Sequence, residues 1–133
     1  MYIDKQLLLS DAQVICNAGT EVSENTIDLG AAKNLSKGKQ LYVVVIIDVG
    51  IDTATSINFQ VVTDTVAALS HPTVQMETGA IARASLTANR VPIVIPVGSA
   101  LGIEEQYLGM NYVLAGSNNV AGAVTAFVAF DIP

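Results

Sequence analysis

Apolar and polar residues alternate along most of this 133-residue chain, which is the pattern of strands with one buried face. The alternation is strict over residues 56–61 and returns over residues 107–115. Leu41–Val49 is instead apolar at almost every position and rich in β-branched residues, so we expect a strand covered on both faces. The dominant period of two therefore predicts a chain made mainly of β-strands.

Turn-forming residues separate these strands. Gly50, Asp52 and Thr53 lie between strands 41–49 and 56–61, so a hairpin or a short loop is the simplest connection there. The sequence Gly-Ser-Asn-Asn at 116–119 lies between the strands 107–115 and 122–130. This arrangement predicts a second hairpin.

A further strand, residues 91–96, contains two prolines, Pro92 and Pro96. Proline has no N–H group for a ladder, so we expect this strand at the edge of a sheet. Weaker strand patterns cover residues 6–11, 26–29 and 73–82, and only residues 64–69 and 99–105 suggest single helical turns. About eight short strands without a long helix predict one domain over residues 1–133, a β-sandwich or a barrel.

The composition is apolar and poor in charge, with 51% hydrophobic and 14% charged residues. Soluble domains carry roughly 25% charged residues, so low charge here favours surfaces that become buried against a partner. The net charge of −6 lacks the basic surface that nucleic-acid binding requires, and we expect none. No apolar run approaches the roughly 18 residues of a membrane span, and no secretory leader is recognisable, so we expect a soluble protein that assembles inside a cell.

Groups with catalytic or metal-binding chemistry are scarce. His71 is the single histidine and Cys16 the single cysteine, so a nucleophile pair would depend entirely on the fold. Asp48 and Asp52 flank Gly50, but their spacing does not match a calcium loop, and Glu104 and Glu105 add only two more carboxylates. Residues 98–102 lack the lysine and hydroxyl of a phosphate-binding loop. The sequence therefore predicts neither an enzyme nor a cofactor.

Two segments are candidates for contacts with other proteins. The N-terminal segment, residues 2–9, is apolar and costly to leave in water, so it either joins the domain's own sheet or docks on a neighbour. The segment 33–39 is the only basic cluster in an acidic chain. The predicted interface residues in the two segments are Tyr2, Ile3, Leu7, Leu8, Leu9, Lys33, Lys37 and Lys39.

Short stretches of the sequence resemble a known family. The stretches 4–7, 10–13 and 25–32, with 125–127 and Asp131 near the end, are similar to those of the small capsid cement proteins of tailed bacteriophages. The resemblance implies a jelly-roll β-sandwich with an N-terminal arm and first strand over residues 1–22. It also implies a homotrimer made in the host cytoplasm and seated on the outer surface of the capsid, over the junctions between capsomers of the major capsid protein.

Two other functions are alternatives to a cement protein. A receptor- or glycan-binding head protein of a phage fibre would also be a jelly-roll, but such sites favour exposed aromatic residues, and this chain has no tryptophan. A cupin-like enzyme would need several histidines as metal ligands, and only His71 is present. We therefore expect a structural protein that acts by binding other subunits.

Overall fold

The structure, a computed structural model, describes residues 7–33, 41–88, 90–97 and 105–129. These residues form nine strands and no α-helix, and a short 3-10 turn, Arg83–Ser85, follows the sixth strand. The strands are β1 (Leu8–Val14), β2 (Gly19–Val22), β3 (Ile27–Lys33), β4 (Leu41–Val49), β5 (Ala54–Asp64), β6 (Thr73–Ala82), β7 (Ile93–Val97), β8 (Glu105–Gly116) and β9 (Ala123–Ala129).

The nine strands form two antiparallel sheets. The first sheet has the order β1-β9-β4-β7, and the second has the order β2-β8-β5-β6, with β3 also paired to β8. β2 pairs with residues 111–114 of β8 and β3 with residues 105–108, so the two strands occupy one edge position in succession. The eight positions follow the jelly-roll order, in which most connections cross between the sheets. The predicted all-β jelly-roll sandwich of about eight antiparallel strands is confirmed.

The core lies between the two sheets and is built mainly from alternate residues of the longer strands. β5 contributes Ile57, Phe59 and Val61, and β8 contributes Met110 and Tyr112. The rings of Phe59 and Tyr112 meet edge to face, with centroids 5.8 Å apart. This is the buried face that the period-two pattern predicts.

The first sheet is also apolar on the face turned away from this core. Val44 on β4 and Phe127 on β9 are paired in register there and are 0% and 1% exposed. Leu8 and Ile46 pack against them. Because both faces of β4 are covered, the prediction for Leu41–Val49 is confirmed, and the strand begins and ends as expected.

Neither of the two turn segments, 50–53 and 116–119, forms a hairpin. β4 and β5 lie in opposite sheets, so of the two alternatives for residues 50–53, a hairpin or a short loop, the short loop is correct. β8 and β9 also lie in opposite sheets, so the prediction of a hairpin between them is wrong. β9 is apolar on both faces, and it lies between β1 and β4 in the centre of the first sheet, where both faces are buried. The six residues 117–122 are long enough to cross to that sheet.

Two smaller predictions have different outcomes. β7 begins one residue after Pro92, contains Pro96 and lies at the edge of its sheet, as expected. The helical turn expected at 64–69 is a non-helical turn, in which the Leu69 N–H donates to the Val66 carbonyl at 3.1 Å. The other helical turn was expected at 99–105. Its last residue, Glu105, is the first residue of β8, and residues 99–104 lie outside the described residues.

Candidate protein interface

Four connections meet at one end of the sandwich: residues 15–18, 50–53, 83–92 without residue 89, and 117–122. We call this region the loop end. Backbone hydrogen bonds join its parts, since the Ile15 N–H donates to the Gly122 carbonyl at 2.9 Å and the Asn119 N–H to the Cys16 carbonyl at 2.8 Å. The Ile51 N–H donates to the Leu86 carbonyl at 3.4 Å. These bonds tie each connection to another one.

Asn119 is the central polar residue of the loop end. Its Oδ1 accepts the N–H groups of Ala54 at 2.7 Å and Thr53 at 3.2 Å, and its Nδ2 donates to the Ile15 carbonyl at 3.1 Å. The residue is only 5% exposed. A single amide therefore satisfies three backbone groups from two other connections, which fixes their relative positions.

Asp52 makes a second link at the surface of the loop end. Its Oδ1 accepts the Val120 N–H at 2.9 Å, and Arg83 Nη1 donates to the backbone carbonyl of Asp52 at 3.1 Å. The N–H groups of Ala121 and Val120 hold the pKa of the Asp52 carboxyl below its ordinary value. These bonds favour the ionised form of Asp52 and attach residues 117–122 to residues 50–53.

Four valines are exposed on or beside this rigid region: Val14 (64%), Val49 (46%), Val91 (75%) and Val120 (84%). We call them the valine surface. Val14 at the end of β1 and Val49 at the end of β4 are both in register with Ala123 of β9, so the three residues lie side by side. Val120 is in the connection that Asp52 holds, and Val91 precedes β7.

The valine surface has the properties of a protein-binding surface. Moving its apolar side chains out of water lowers the free energy, which favours binding. The loops beneath them are already fixed by hydrogen bonds, so little conformational entropy remains to be lost on binding. Among the described residues, these four exposed side chains are apolar and carry no reactive group.

The structure divides the predicted N-terminal contact residues. Leu8 and Leu9 lie in β1 and pair with β9, and Leu9 is 0% exposed, so it is a core residue and cannot reach a partner. The prediction of Leu9 as an interface residue is therefore corrected, because its side chain completes the space between the sheets. Leu7 and Leu8 are half-buried. Tyr2 and Ile3 lie outside the described residues.

The predicted basic cluster is described only at its first residue. Lys33 is the last residue of β3 and pairs in register with Glu105 of β8. Lys37 and Lys39 lie outside the described residues. Lys33 is at the end of the sandwich opposite the loop end, so the two candidate surfaces are separate.

The possible nucleophile pair is not assembled. Cys16 is half-buried in the loop end, where its Sγ lies 4.0 Å from the Val120 carbonyl oxygen. His71 is exposed in the connection after β5, at the opposite end of the sandwich, and its backbone N–H donates to Asp64 Oδ2 at 2.8 Å. The two side chains are therefore too far apart for His71 to act as a general base for Cys16.

The carboxylates considered for calcium are engaged separately. Asp48 Oδ2 accepts the Thr125 hydroxyl at 2.5 Å on the first sheet, whereas Asp52 binds the backbone of the loop end. Within the part of the chain that the structure describes, no three His, Cys, Asp or Glu side chains are grouped so as to hold a metal ion. Glu104 and the segment 98–102 lie outside that part.

Comparison with known proteins gives the family. The model of the Bbp16 family matches residues 9–128, from β1 to β9. The chain belongs to the Bbp16 family. The match to the Bbp16 model includes residues of all nine strands. No curated protein matches this sequence. Among the described residues of this Bbp16 protein, no helix has the length and apolar character to cross a membrane.

Neither the valine surface nor the bonding role of Asn119 was predicted from the sequence. An apolar residue inside or next to a turn segment was the available signal: Val49 precedes Gly50, and Val120 lies within residues 117–122. Asn119 was identified only as a turn residue. Its role depends on the approach of residues 15 and 54, which are more than 60 positions away in sequence.

Proposed function

We propose that this Bbp16-family protein is a cement protein of a tailed-phage head. In this proposal it binds the outer surface of the capsid as a homotrimer, stabilises the junctions between capsomers of the major capsid protein, and needs neither cofactor nor catalysis. The observation that carries the proposal is the valine surface on a loop end fixed by Asn119 and Asp52. The resemblance to phage cement proteins supplies the identity of the partner.

The mechanism needs only differential binding. A protein that binds the assembled shell and not free subunits shifts the equilibrium toward the shell by mass action. Three copies joined in one trimer hold three contacts at once, and the second and third contacts form at a high effective concentration. The shell then resists heat and internal pressure better, although each contact by itself is weak.

A glycan-binding head protein is not favoured. The aromatic side chains in the described part of the chain are all buried or half-buried: Tyr42, Phe59, Tyr107, Tyr112 and Phe127. Sugar-binding sites commonly rely on exposed aromatic faces and a concave polar pocket. The valine surface contains no aromatic side chain.

The proposal is tested with purified protein and heads that lack it. We expect a native mass of three chains and saturable binding to the heads, whose melting temperature rises when the protein is bound. Heads that show no binding at micromolar protein would contradict the cement function. A dimeric or monomeric native mass with tight binding would overturn only the homotrimer.

The location of the contact is tested with matched valine variants. Val49→Asp places a charge on the valine surface, and Val66→Asp places one at the opposite end of the sandwich, where the side chain is similarly exposed (46% and 44%). We expect Val49→Asp to weaken head binding at least tenfold and Val66→Asp to leave it nearly unchanged. Equal effects of the two variants would show that the valine surface is not the contact.

The single cysteine gives a second readout. Cys16 is half-buried beside Val120, so bound heads should slow its alkylation by N-ethylmaleimide. As a control, Ser70→Cys in a Cys16→Ser background places the thiol in the exposed connection after β5. Heads should leave its alkylation rate unchanged. Protection of the control thiol instead would place the contact at the other end.

A further inference from the structure

A row of side chains crosses the second sheet on the face turned away from the core. Register places Val22 of β2 beside Asn111 of β8, Asn111 beside Gln60 of β5, and Gln60 beside Glu77 of β6. The adjacent residues of β5 and β8 belong to the core, so alternation directs the row outward. Asn58, two positions before Gln60, lies on the same face.

Glu77 fixes the orientation of two amides in this row. Its Oε2 accepts Gln60 Nε2 at 2.9 Å and Asn58 Nδ2 at 3.1 Å. Each of these amide nitrogens gives one of its two hydrogens to Glu77, on the β6 side. The amide oxygens of the row, those of Asn58, Gln60 and Asn111, are acceptors that these two bonds do not use.

Two of these acceptors lack a donor. Asn58 Oδ1 and Asn111 Oδ1 are buried and have no hydrogen-bond partner among the described residues, and Asn111 is only 6% exposed. A buried acceptor without a donor destabilises the fold, so such groups are rare unless they serve another purpose. The two arginines of the described chain, Arg83 and Arg90, donate to backbone carbonyls elsewhere.

We propose that Asn58, Gln60, Glu77 and Asn111 form a second docking site, which binds an arginine side chain of a partner protein. A guanidinium group brings five N–H donors in one plane together with a positive charge. These properties complement several amide oxygens beside the Glu77 carboxylate, and they suit arginine better than the point charge of lysine. Exposed Val22 (37%) offers apolar contact to the arginine stem.

Binding at this site requires a local movement. Both unpaired oxygens are covered in the free chain, so the Asn111 amide must rotate about its Cβ–Cγ bond and half-buried Gln60 must swing aside. The covalent structure is unchanged. Under the proposed function the arginine belongs to the major capsid protein, so the identity of the partner rests on that function, whereas the site itself does not.

The site is tested first without any capsid, by NMR titration with N-acetyl-arginine amide. We expect the side-chain NH₂ resonances of Asn58, Gln60 and Asn111 to shift, and Glu77→Gln to weaken binding several-fold. N-acetyl-citrulline amide, which has a similar shape without the charge, should produce no shifts. Absent shifts, equal shifts with citrulline, or shifts unaffected by Glu77→Gln would overturn the site. Stronger binding of the lysine analogue would overturn the preference for arginine.

A second test separates a binding role from a structural one. Asn111→Val removes the unpaired oxygen and places a β-branched residue in a strand, so it should raise the Tm of the free protein by about 5 °C. The same variant should bind both the arginine analogue and heads at least tenfold more weakly. Thr20→Val, an exposed change on the same face, is the control and should leave binding unchanged. A lower Tm for Asn111→Val would show that Asn111 supports the fold and would overturn the proposal.

The two proposals fail differently. If wild-type protein does not bind heads, the cement function is wrong, and the titration still decides the arginine site. If wild-type and Asn111→Val protein bind heads equally and the titration shows no shifts, the arginine site is wrong and the cement function stands.

Discussion

The hydroxyl groups of Ser10 and Tyr112 lie 2.7 Å apart in the core and connect the two sheets. Ser10 is in β1 of the first sheet, and Tyr112 is in β8 of the second. The single hydroxyl hydrogen of Ser10 is donated to Gln13 Oε1 at 2.7 Å, so Tyr112 is the donor to Ser10. Gln13 Oε1 also accepts the Glu24 N–H at 2.8 Å. One chain of hydrogen bonds therefore runs from β8 through β1 to the connection after β2.

Because Tyr112 is the donor, removing the Tyr112 hydroxyl and removing the Ser10 hydroxyl should have different effects on stability. Tyr112→Phe leaves Ser10 bonded to Gln13 and should lower the free energy of unfolding by about 1 kcal/mol. Ser10→Ala leaves the buried Tyr112 hydroxyl without a partner and should cost about 2 kcal/mol. Urea denaturation measures both values. The double variant should lose less than the sum of the two, and strict additivity would show that the hydroxyls do not interact.

The buried Tyr112 also predicts a loss of stability in alkali. Burial raises the pKa of the Tyr112 hydroxyl above its ordinary value, so the folded state resists ionisation while the unfolded state ionises near pH 10. The contribution of this group is complete below about pH 10 and falls by about 1.4 kcal/mol for each pH unit above it, until the folded pKa is reached.

Tyr112→Phe provides the comparison for this alkaline effect, because phenylalanine does not ionise in either state. The wild type should be more stable than the variant at pH 8, and the order should reverse at about pH 11. Urea denaturation at pH 8–11.5 measures the difference. Parallel pH profiles would contradict the buried, protonated state of Tyr112.

Asn119 should contribute more to stability than its turn position suggests. Asn119→Ala leaves the Ala54 N–H, the Thr53 N–H and the Ile15 carbonyl without their side-chain partner, which should cost about 3 kcal/mol. Asn118→Ala is the matched control: exposed Asn118 accepts the Ala18 N–H, and this substitution should cost about 1 kcal/mol or less.

Hydrogen exchange locates the Asn119 effect. In Asn119→Ala the Ala54 amide should exchange faster, while amides in the centre of β5 change only through the global stability. Equal destabilisation by Asn118→Ala and Asn119→Ala would show that Asn119 has no special role.

Two carboxylates, exposed Asp52 and buried Asp64, predict a loss of stability in acid. The His71 N–H lowers the pKa of Asp64, and the Ala121 N–H lowers that of Asp52, so both are ionised more easily in the folded state. Their stabilising contribution is present above about pH 4, the ordinary value, and is lost as the pH falls through the lower folded values.

The acid effect is measured as the Tm between pH 6 and pH 2. The double variant Asp52→Asn, Asp64→Asn should melt lower than the wild type at pH 6 and show a shallower decline below pH 4. Asp11→Asn, an exposed change in β1, is the control and should keep the wild-type slope. An unchanged slope in the double variant would mean that these hydrogen bonds do not stabilise the fold.

Several strands could be predicted because their apolar pattern, either a period of two or a continuous β-branched run, is a local property of the sequence. Leu41–Val49 and Thr73–Ala82 begin and end where they were expected, and the core side of β8 was identified from its alternation. Pairing was not predictable in the same way. A short segment of turn residues fits a hairpin and a crossing between sheets equally well, and the apolar second face of β9 decides between them.

The residues of the candidate interface were even less predictable from the sequence than the strand pairing. The predicted segments 2–9 and 33–39 were chosen for local character, yet Leu9 of the first is buried in the core. The valine surface consists of residues that are far apart in sequence and adjacent only because β1, β9 and β4 are neighbours. No local pattern contains that relationship.

By itself, the sequence determined that the chain forms strands, which faces of those strands are apolar, and that reactive groups are few. These properties depend on residue type and spacing along the chain. Only the tertiary structure decided which strands are neighbours, that Asn119 joins three loops and that Ser10 meets Tyr112. Such contacts depend on which of several compatible pairings buries the most surface, and that is a property of the whole chain.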